Sequence, residues 1–118
     1  MPDPAESNLF ILRGKTFEKR YLWISAGNPV DITSYTARVM IRENKSDSTP
    51  FISISSAGGE IVLGGVAGTI DITIADTTTN AIDSAITHGF WALEMTSPLG
   101  VIQDIAAGAV KVADSATR

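Results

Sequence analysis

A chain with one histidine and no cysteine has few ways to do covalent or acid–base chemistry. His88 is the one side chain that ordinarily titrates near neutrality, and a nucleophilic site would need it beside a serine and an aspartate. Both types are abundant here, so their presence carries no information. His88 stands directly before Gly89, where a strand should begin, and reads as an exposed strand end. The carboxylates Asp71, Asp76, Asp83, Glu94 and Asp104 are dispersed singly, without the alternating aspartates and glycine of a calcium loop. The missing thiols exclude a disulfide, a thiolate zinc site and a cysteine nucleophile. Gly58-Gly59, Gly64-Gly65 and Gly68 invite a phosphate-loop reading, but no Lys-Ser or Lys-Thr follows them at the required spacing. They read instead as hairpin turns needing positive φ. The expectation is a protein that is not an enzyme, with no catalytic residue, no metal site and no cofactor.

Contact chemistry is better represented. Phe17, Lys19, Tyr21 and Trp23 share one face of an extended segment, and Leu22 and Ile24 occupy the other. Two apolar faces near residues 21–24 imply that one of them meets another chain. Arg13, Lys15, Lys19 and Arg20 form a basic cluster beside them. Residues 1–59 hold seven basic and six acidic groups, whereas residues 60–118 hold two and seven. The cluster reads first as a solvated face, because surface charge pairs are individually weak; the second reading is a match to an acidic edge on a neighbour in a repeating assembly. The candidate interface is Phe17, Lys19, Tyr21, Trp23, Arg13, Lys15 and Arg20. The same aromatics, if exposed in one plane, would make a carbohydrate platform, which is the alternative reading. Trp91 shares a face with Leu93 and Met95 and is assigned to the core.

These residues need elements to hold them. The 118 residues fit one domain, and 44% hydrophobic with 19% charged residues is a globular composition. The net charge of -4 and pI of about 4.7 argue against sequence-independent nucleic-acid binding, which needs a basic face. No run approaches the ~20 apolar residues of a bilayer span. Met1 to Ser7 has no positive region of the kind that opens a secretory signal. The expectation is a chain made in a cytoplasm, with neither nucleic acid nor membrane as partner.

From about Asn8 to Val112 the pattern is strand, turn, strand. Tyr35, Ala37, Val39 and Ile41 alternate with Thr36, Arg38, Met40 and Arg42, the period of a half-buried strand. Ile70, Ile72 and Ile74 alternate with Thr69, Asp71 and Thr73. Ala26-Gly27-Asn28-Pro29 and Ser97-Pro98-Leu99-Gly100 are turn signals. Asp76 is a candidate N-cap for a short helical turn within 76–86, with Ile82 and Ile86 on its inner side. Gly108 divides 101–106 from 109–112 and suggests a bulge or bend. Seven to eight short strands, with turn signals every ~8–12 residues, predict an all-β fold, an antiparallel immunoglobulin-like β-sandwich, with a small barrel as runner-up. The predicted organisation is a flexible arm over 1–7, one sandwich over 8–112 and a fraying tail over 113–118.

The order of elements also carries a resemblance. Gly14-Lys15-Thr16-Phe17 opens a strand. The turn and strand from Gly27 to Arg38 follow, then Ile41-Arg42, Gly68-Thr69-Ile70, Phe90-Trp91-Ala92-Leu93-Glu94 and a closing strand at Gly108. This resembles small bacteriophage and prophage structural proteins of the tail and tail-fibre region, and is similar to the N-terminal β-sandwich of phage baseplate upper proteins. It implies a virion structural protein acting as adaptor, tail-fibre or baseplate attachment, or capsid decoration subunit. It further implies contacts with other virion proteins, homo-oligomerisation, and localisation to the virion after synthesis in the bacterial host cytoplasm. Those baseplate proteins continue into further domains, whereas this sequence stops at Arg118, so the expectation is a module that binds through its own surfaces.

Overall fold

Hydrophobic alternation places nearly every strand. The computed structural model describes residues 5–116. One sheet is built from β1 (Ala5–Glu6), β2 (Leu9–Arg13), β6 (Thr36–Arg42), β7 (Ile52–Ser55), β10 (His88–Thr96) and β11 (Ile102–Asp114). The second contains β3 (Phe17–Leu22), β8 (Ile61–Leu63) and β9 (Thr69–Ile74), and β4 (Ile24–Ser25) with β5 (Asn28–Pro29) forms a small hairpin. In the first sheet the order is β1-β11-β10-β6-β7, with β2 also on β11; in the second it is β3-β9-β8. Both β1 and β2 run parallel to β11 in one unbroken register, Ala5 facing Ala106 and Leu9 facing Val110. They are in effect one edge strand interrupted at Ser7 and Asn8.

This order defines an immunoglobulin-like sandwich. The run β11-β10-β6-β7 corresponds to G-F-C-C′ of a variable-type domain and β3-β9-β8 to B-E-D, while the N-terminal strand lies beside the last strand. The predicted fold class is therefore the observed one. The core lies between the sheets and is mostly β-branched: Ile11, Val39, Ile41, Ile61, Ile70, Ile72 and Ile74, closed by Trp91, Leu93 and Met95. Branched side chains suit this pleated, two-layer core because few rotamers are lost on packing.

Several local expectations change. The extended segment from Phe17 to Ser25 is interrupted at Trp23: its N–H continues the β3–β9 register to the Gly68 carbonyl (2.9 Å), but its carbonyl accepts from the Val30 N–H (2.8 Å), which hands the chain to the β4–β5 hairpin. The turn at 26–29 is a hairpin, with Ala26 and Gly27 both at positive φ between paired Ser25 and Asn28, the two-residue geometry that matches strand twist. Gly58-Gly59 does not close a hairpin, because β7 and β8 lie in different sheets. Strand β11 runs unbroken through Gly108, and the bulge lies one turn of the pleat earlier, opposite Leu93 and Glu94. Gly108 is instead where Ser7 crosses: a Cβ there would lie 2.1 Å from the Ser7 carbonyl oxygen. The expected arm over 1–7 lies outside the described residues for 1–4. From Ala5 onward the chain is paired, and the Ser7 N–H bonds the Ala107 carbonyl (2.9 Å). At the other terminus pairing continues to Asp114, one residue beyond the expected onset of fraying, and 117–118 lie outside the described residues.

The short helical turn is α1 (Asp76–Asn80), with Ala75 rather than Asp76 at the N-cap. Its three threonines form poor helix, yet Thr79 is fully buried and donates its hydroxyl to the Lys15 carbonyl (2.8 Å). The helix thereby ties the β2–β3 turn to the connection that follows it.

Candidate functional site: a charge-poor end of the sandwich

The sandwich is elongated, 41 Å by 28 Å by 24 Å, so it has two distinct ends. Register fixes what gathers at each. Leu22 faces Thr69, Leu63 faces Ile70, and Thr96 faces both Thr36 and Ile102. Segments 21–37, 61–70 and 95–103 therefore meet at one end. Of nine basic and thirteen acidic residues in the chain, these segments contain one, Asp31. Its carboxylate is engaged locally: it accepts from the Thr33 hydroxyl and from the Thr33 N–H (2.9 Å), and these bonds hold its pKa below the usual aspartate range. The turn from Asp31 is thus closed by its own side chain, as the sequence predicts.

The same end carries most of the exposed large apolar side chains. Leu22, Ile24, Val66, Leu99, Val101 and Ile102 are all about half exposed or more, and Leu99 reaches 93%. Solvated single apolar residues are ordinary, but a charge-poor end that collects this many is the candidate contact surface. Between the sheets at this end a crevice of about 580 Å³ opens between Tyr21–Ser25 on one side and Gln103–Ala106 on the other, with Val30 and Tyr35 behind. It lies where the chain leaves β3 for the β4–β5 hairpin at Trp23 and where β11 bulges at Ile105. Along Ile102–Ile105, β11 has a partner strand only on the β10 side among the described residues.

The rings inside this crevice are fixed by packing. Trp23 and Tyr35 meet edge to face, 6.0 Å between centroids at 87°. Tyr21 leans on Trp91 at 5.6 Å and 32°, and its hydroxyl pairs with that of Ser7 (2.9 Å). Burial pushes the Tyr21 phenol above its ordinary pKa. None of these rings lies coplanar with its neighbour, so they do not form a flat platform.

Asp104 stands at the border of the crevice, and burial followed by the neighbouring Glu94 raises its pKa, while Arg38 opposes the rise. Arg38 is itself committed to Glu94 through Nε (2.7 Å). A carboxyl whose folded pKa is raised contributes stability below its unfolded pKa and loses it as pH rises through the folded value. Asp104→Asn is therefore expected to stabilise the protein at pH 7, by less than about 1 kcal/mol because solvent screens this position. The gain should disappear below about pH 3, where both forms are neutral. Urea midpoints at the two pH values check this; an Asn variant less stable at pH 7 would contradict the sign.

The predicted interface residues scatter. Tyr21 and Trp23 do line the crevice, but half-buried and facing inward, so the face they share with Phe17 is a core face. The outward face of β3 is Glu18, Arg20 and Leu22. Lys19 belongs to the inward side of an edge strand and reaches solvent along it, its ammonium 5.7 Å from the Tyr21 ring. Arg20 is exposed and bidentate on Asp71 (2.5 and 3.0 Å), which lowers the Asp71 pKa through that bond. Lys15 lies at the opposite end beside α1. Arg13 is no surface cation at all: it is 2% exposed, and its guanidinium serves the connection after α1. The basic cluster is therefore dispersed over a core, an outer face and the far end.

A second depression of about 590 Å³ lies on the outer face of the larger sheet, floored by Ala92, Ala107 and Ala109 and flanked by Met40, Arg42 and Phe90. Arg42 is pinned by the Asp47 carbonyl (2.9 Å), and Lys45 rides over the Phe90 ring at 5.1 Å. His88 is exposed at the start of β10, as expected from its place in the sequence. Among the described residues no three His, Cys, Asp or Glu side chains converge as metal ligands. No helix among them is long and apolar enough to cross a membrane.

No protein-family model matches the chain, and comparison with curated proteins gives no match. Among solved structures, it is similar to a chain from a photo-crosslinking study of multimeric cell-adhesive interactions of VGSC beta subunits. That likeness has 12% identity, a TM-score of 0.49 and 91% of each chain covered. It is also similar to Drosophila OTK extracellular domains 3–5, at 11% identity and TM-score 0.37, covering 89% of this chain and 32% of that one. The fold assignment rests on the strand order given above.

Proposed function

We propose that this chain is a non-enzymatic structural protein that works through protein–protein contacts, as the adaptor, tail-fibre or baseplate attachment, or decoration subunit of a bacteriophage particle. The phage assignment comes from the sequence resemblance. The observation that supports a contact role is the charge-poor, apolar end of the sandwich, where Asp31 is the one charged residue of the three segments, with its open crevice bordered by Asp104. A protein interface core is depleted in charge and enriched in aromatic and aliphatic side chains, which is the composition of that end. The glycan-binding alternative needs several coplanar exposed rings, and the edge-to-face packing of Trp23 on Tyr35 does not favour it.

The test is made on particles released from the cell that encodes the chain and banded by density. Peptides of this chain at fixed stoichiometry with the other particle proteins, surviving a high-salt wash, are the expected result. A chain left wholly in the soluble fraction while complete particles form would overturn the assignment.

A further inference from the structure

We propose that the trough on the outer face of the larger sheet binds an extended acidic segment of a partner protein, a carboxylate of the segment pairing with Arg42 and Lys45 while an aliphatic side chain rests on Ala92 and Ala107. This adds a second surface to the contact role above and depends on that role only in taking a protein as the occupant.

Register lays out the trough. On β10, Phe90 faces Arg42 on one side and Ala109 on the other, Ala92 lies between Met40 and Ala107, and Glu94 lies between Arg38 and Asp104. The three alanines sit lower than Phe90, Met40 and Arg42 around them, and the depression holds about 590 Å³. That volume falls within the ~300–1,000 Å³ of ligand sites. From the Phe90 row to the Glu94 row is roughly 13 Å, four residues of strand. The trough is open above, so its occupant keeps one side in water. An extended peptide suits that geometry, because alternate side chains point down onto the alanines and the others point to solvent.

Charge selects the kind of segment. The chain has a net charge of -4, yet the Phe90 end of the trough is cationic. Among the described residues Arg13, Arg20 and Arg38 hold ion pairs, whereas Arg42, Lys45 and Lys111 have no carboxylate partner. Lys111 faces His88 in the next row and extends the same end. The opposite end carries Asp104 and Glu94, and Arg38 is engaged with Glu94 (2.7 Å). A segment with its carboxylate at one end and an apolar side chain behind it is complementary to this arrangement. A polyanion such as nucleic acid or an anionic bilayer matches less well, because the carboxylates at the far end repel it.

The cations are set before any ligand arrives. Arg42 Nε donates to the Asp47 carbonyl (2.9 Å), and Nη2 meets only the Met40 sulfur at 3.9 Å, so the terminal amino groups have no oxygen partner among the described residues. Asp47 is itself fixed, its carboxylate accepting from the Asn44 N–H (3.0 Å) and its own N–H bonding the Asn44 carbonyl (3.0 Å). Lys45, in the same closed turn, stands 5.1 Å from the Phe90 ring centroid. Little ordering entropy remains to be lost at these groups on binding.

The probe is an acetylated and amidated peptide of about five residues, the span of the trough, alternating glutamate and valine. It is titrated into the isotope-labelled full chain and followed by amide chemical shifts. Saturable shifts confined to the rows of Phe90 and Ala92, weakening as salt rises, are the expected result. Arg42→Gln should weaken binding about 10-fold, as for a hydrogen bond to a charged group. Lys45→Gln, on an exposed side chain, should weaken it about 3-fold. Ala92→Leu fills the floor and should also weaken it about 10-fold, with the thermal midpoint unchanged because the added atoms lie on the outer face. Lys19→Gln, on the other sheet, should change nothing. The matching peptide with lysine for glutamate should not bind. The proposal is overturned by the absence of saturable shifts up to about 1 mM peptide, a weak affinity already. It is overturned equally by binding of the lysine peptide with the same affinity, or by unchanged affinity in both Lys45→Gln and Ala92→Leu. Tighter binding of a single-stranded oligonucleotide or of phosphatidylglycerol vesicles at the same residues would overturn it in favour of a polyanion. A chain found in washed particles that ignores the peptide sinks this site alone. A chain absent from particles that still binds the peptide retains the site and sinks the phage assignment.

Discussion

Replacing Arg13 by alanine is expected to cost about 3–5 kcal/mol, from leaving buried carbonyls without their donor at about 1–3 kcal/mol each and from the void the side chain leaves. Arg13 is 2% exposed at the end of β2. Its Nη1 meets Asp114 (3.0 Å), its Nε donates to the Ile82 carbonyl (3.3 Å), and its Nη2 donates to the carbonyls of Asp83 (2.9 Å) and Ile86. Three carbonyls of one irregular connection thus converge on one guanidinium, and the connection has little other regular structure to hold it. Asp114 is largely exposed and regains water in the variant, so most of the loss comes from the stranded carbonyls and the void beneath Ile82. Arg13→Lys should recover less than half, because an ammonium cannot present the planar fork that reaches all three. Urea unfolding measures the loss, and hydrogen exchange should show faster exchange confined to residues 82–87. A loss under about 1 kcal/mol would mean the connection stands without Arg13. The exposed Arg20–Asp71 pair is the internal control: Arg20→Ala should leave the midpoint where it is.

Arg13 also shows how sequence reasoning divides. Leu9, Ile11 and Arg13 fall in one phase of a period of two, and the first two are core. The position of Arg13 was thus legible as buried, but its charge drew it into a surface cluster with Lys15, Lys19 and Arg20. The strand around Ile72 was legible for the opposite reason: its other phase, Thr69, Asp71 and Thr73, is wholly polar, so the alternation admits one reading, and around Val39 only Met40 interrupts the polar phase. For β3 it admits two. As an edge strand of the smaller sheet it buries its inner side chains only in part, so Phe17, Tyr21 and Trp23 look no more committed to a core than Leu22 and Ile24 do. The charge-poor end was in the sequence too, as three stretches that hold one charged residue, Asp31, among them. Only the topology, which brings 21–37, 61–70 and 95–103 to one end, turns three stretches into a surface.

The second large effect is expected at Trp91. In antibody domains the strands corresponding to β3 and β10 are joined across the sandwich by a disulfide. This chain has no cysteine, and at that place the Tyr21 ring packs on Trp91 across the two sheets. Trp91 is 3% exposed, and its indole N–H donates to the Ser7 carbonyl (2.7 Å), so one side chain joins β10, β3 and the edge strand at its interruption. Trp91→Ala should cost about 3–5 kcal/mol through the cavity it leaves. Trp91→Phe keeps a ring against Tyr21 but leaves the Ser7 carbonyl without its donor, and should cost about 1–3 kcal/mol. Pairing Trp91→Phe and Trp91→Ala with Tyr21→Leu in double-mutant cycles separates the contributions. A coupling of about 0.5–1.5 kcal/mol in the alanine cycle that shrinks in the phenylalanine cycle would locate the stabilisation in ring contact. Equal losses for Phe and Ala would place it in the bond to Ser7 instead. The sandwich would then be held together at its parallel edge, where β1 and β2 meet β11, more than across its centre.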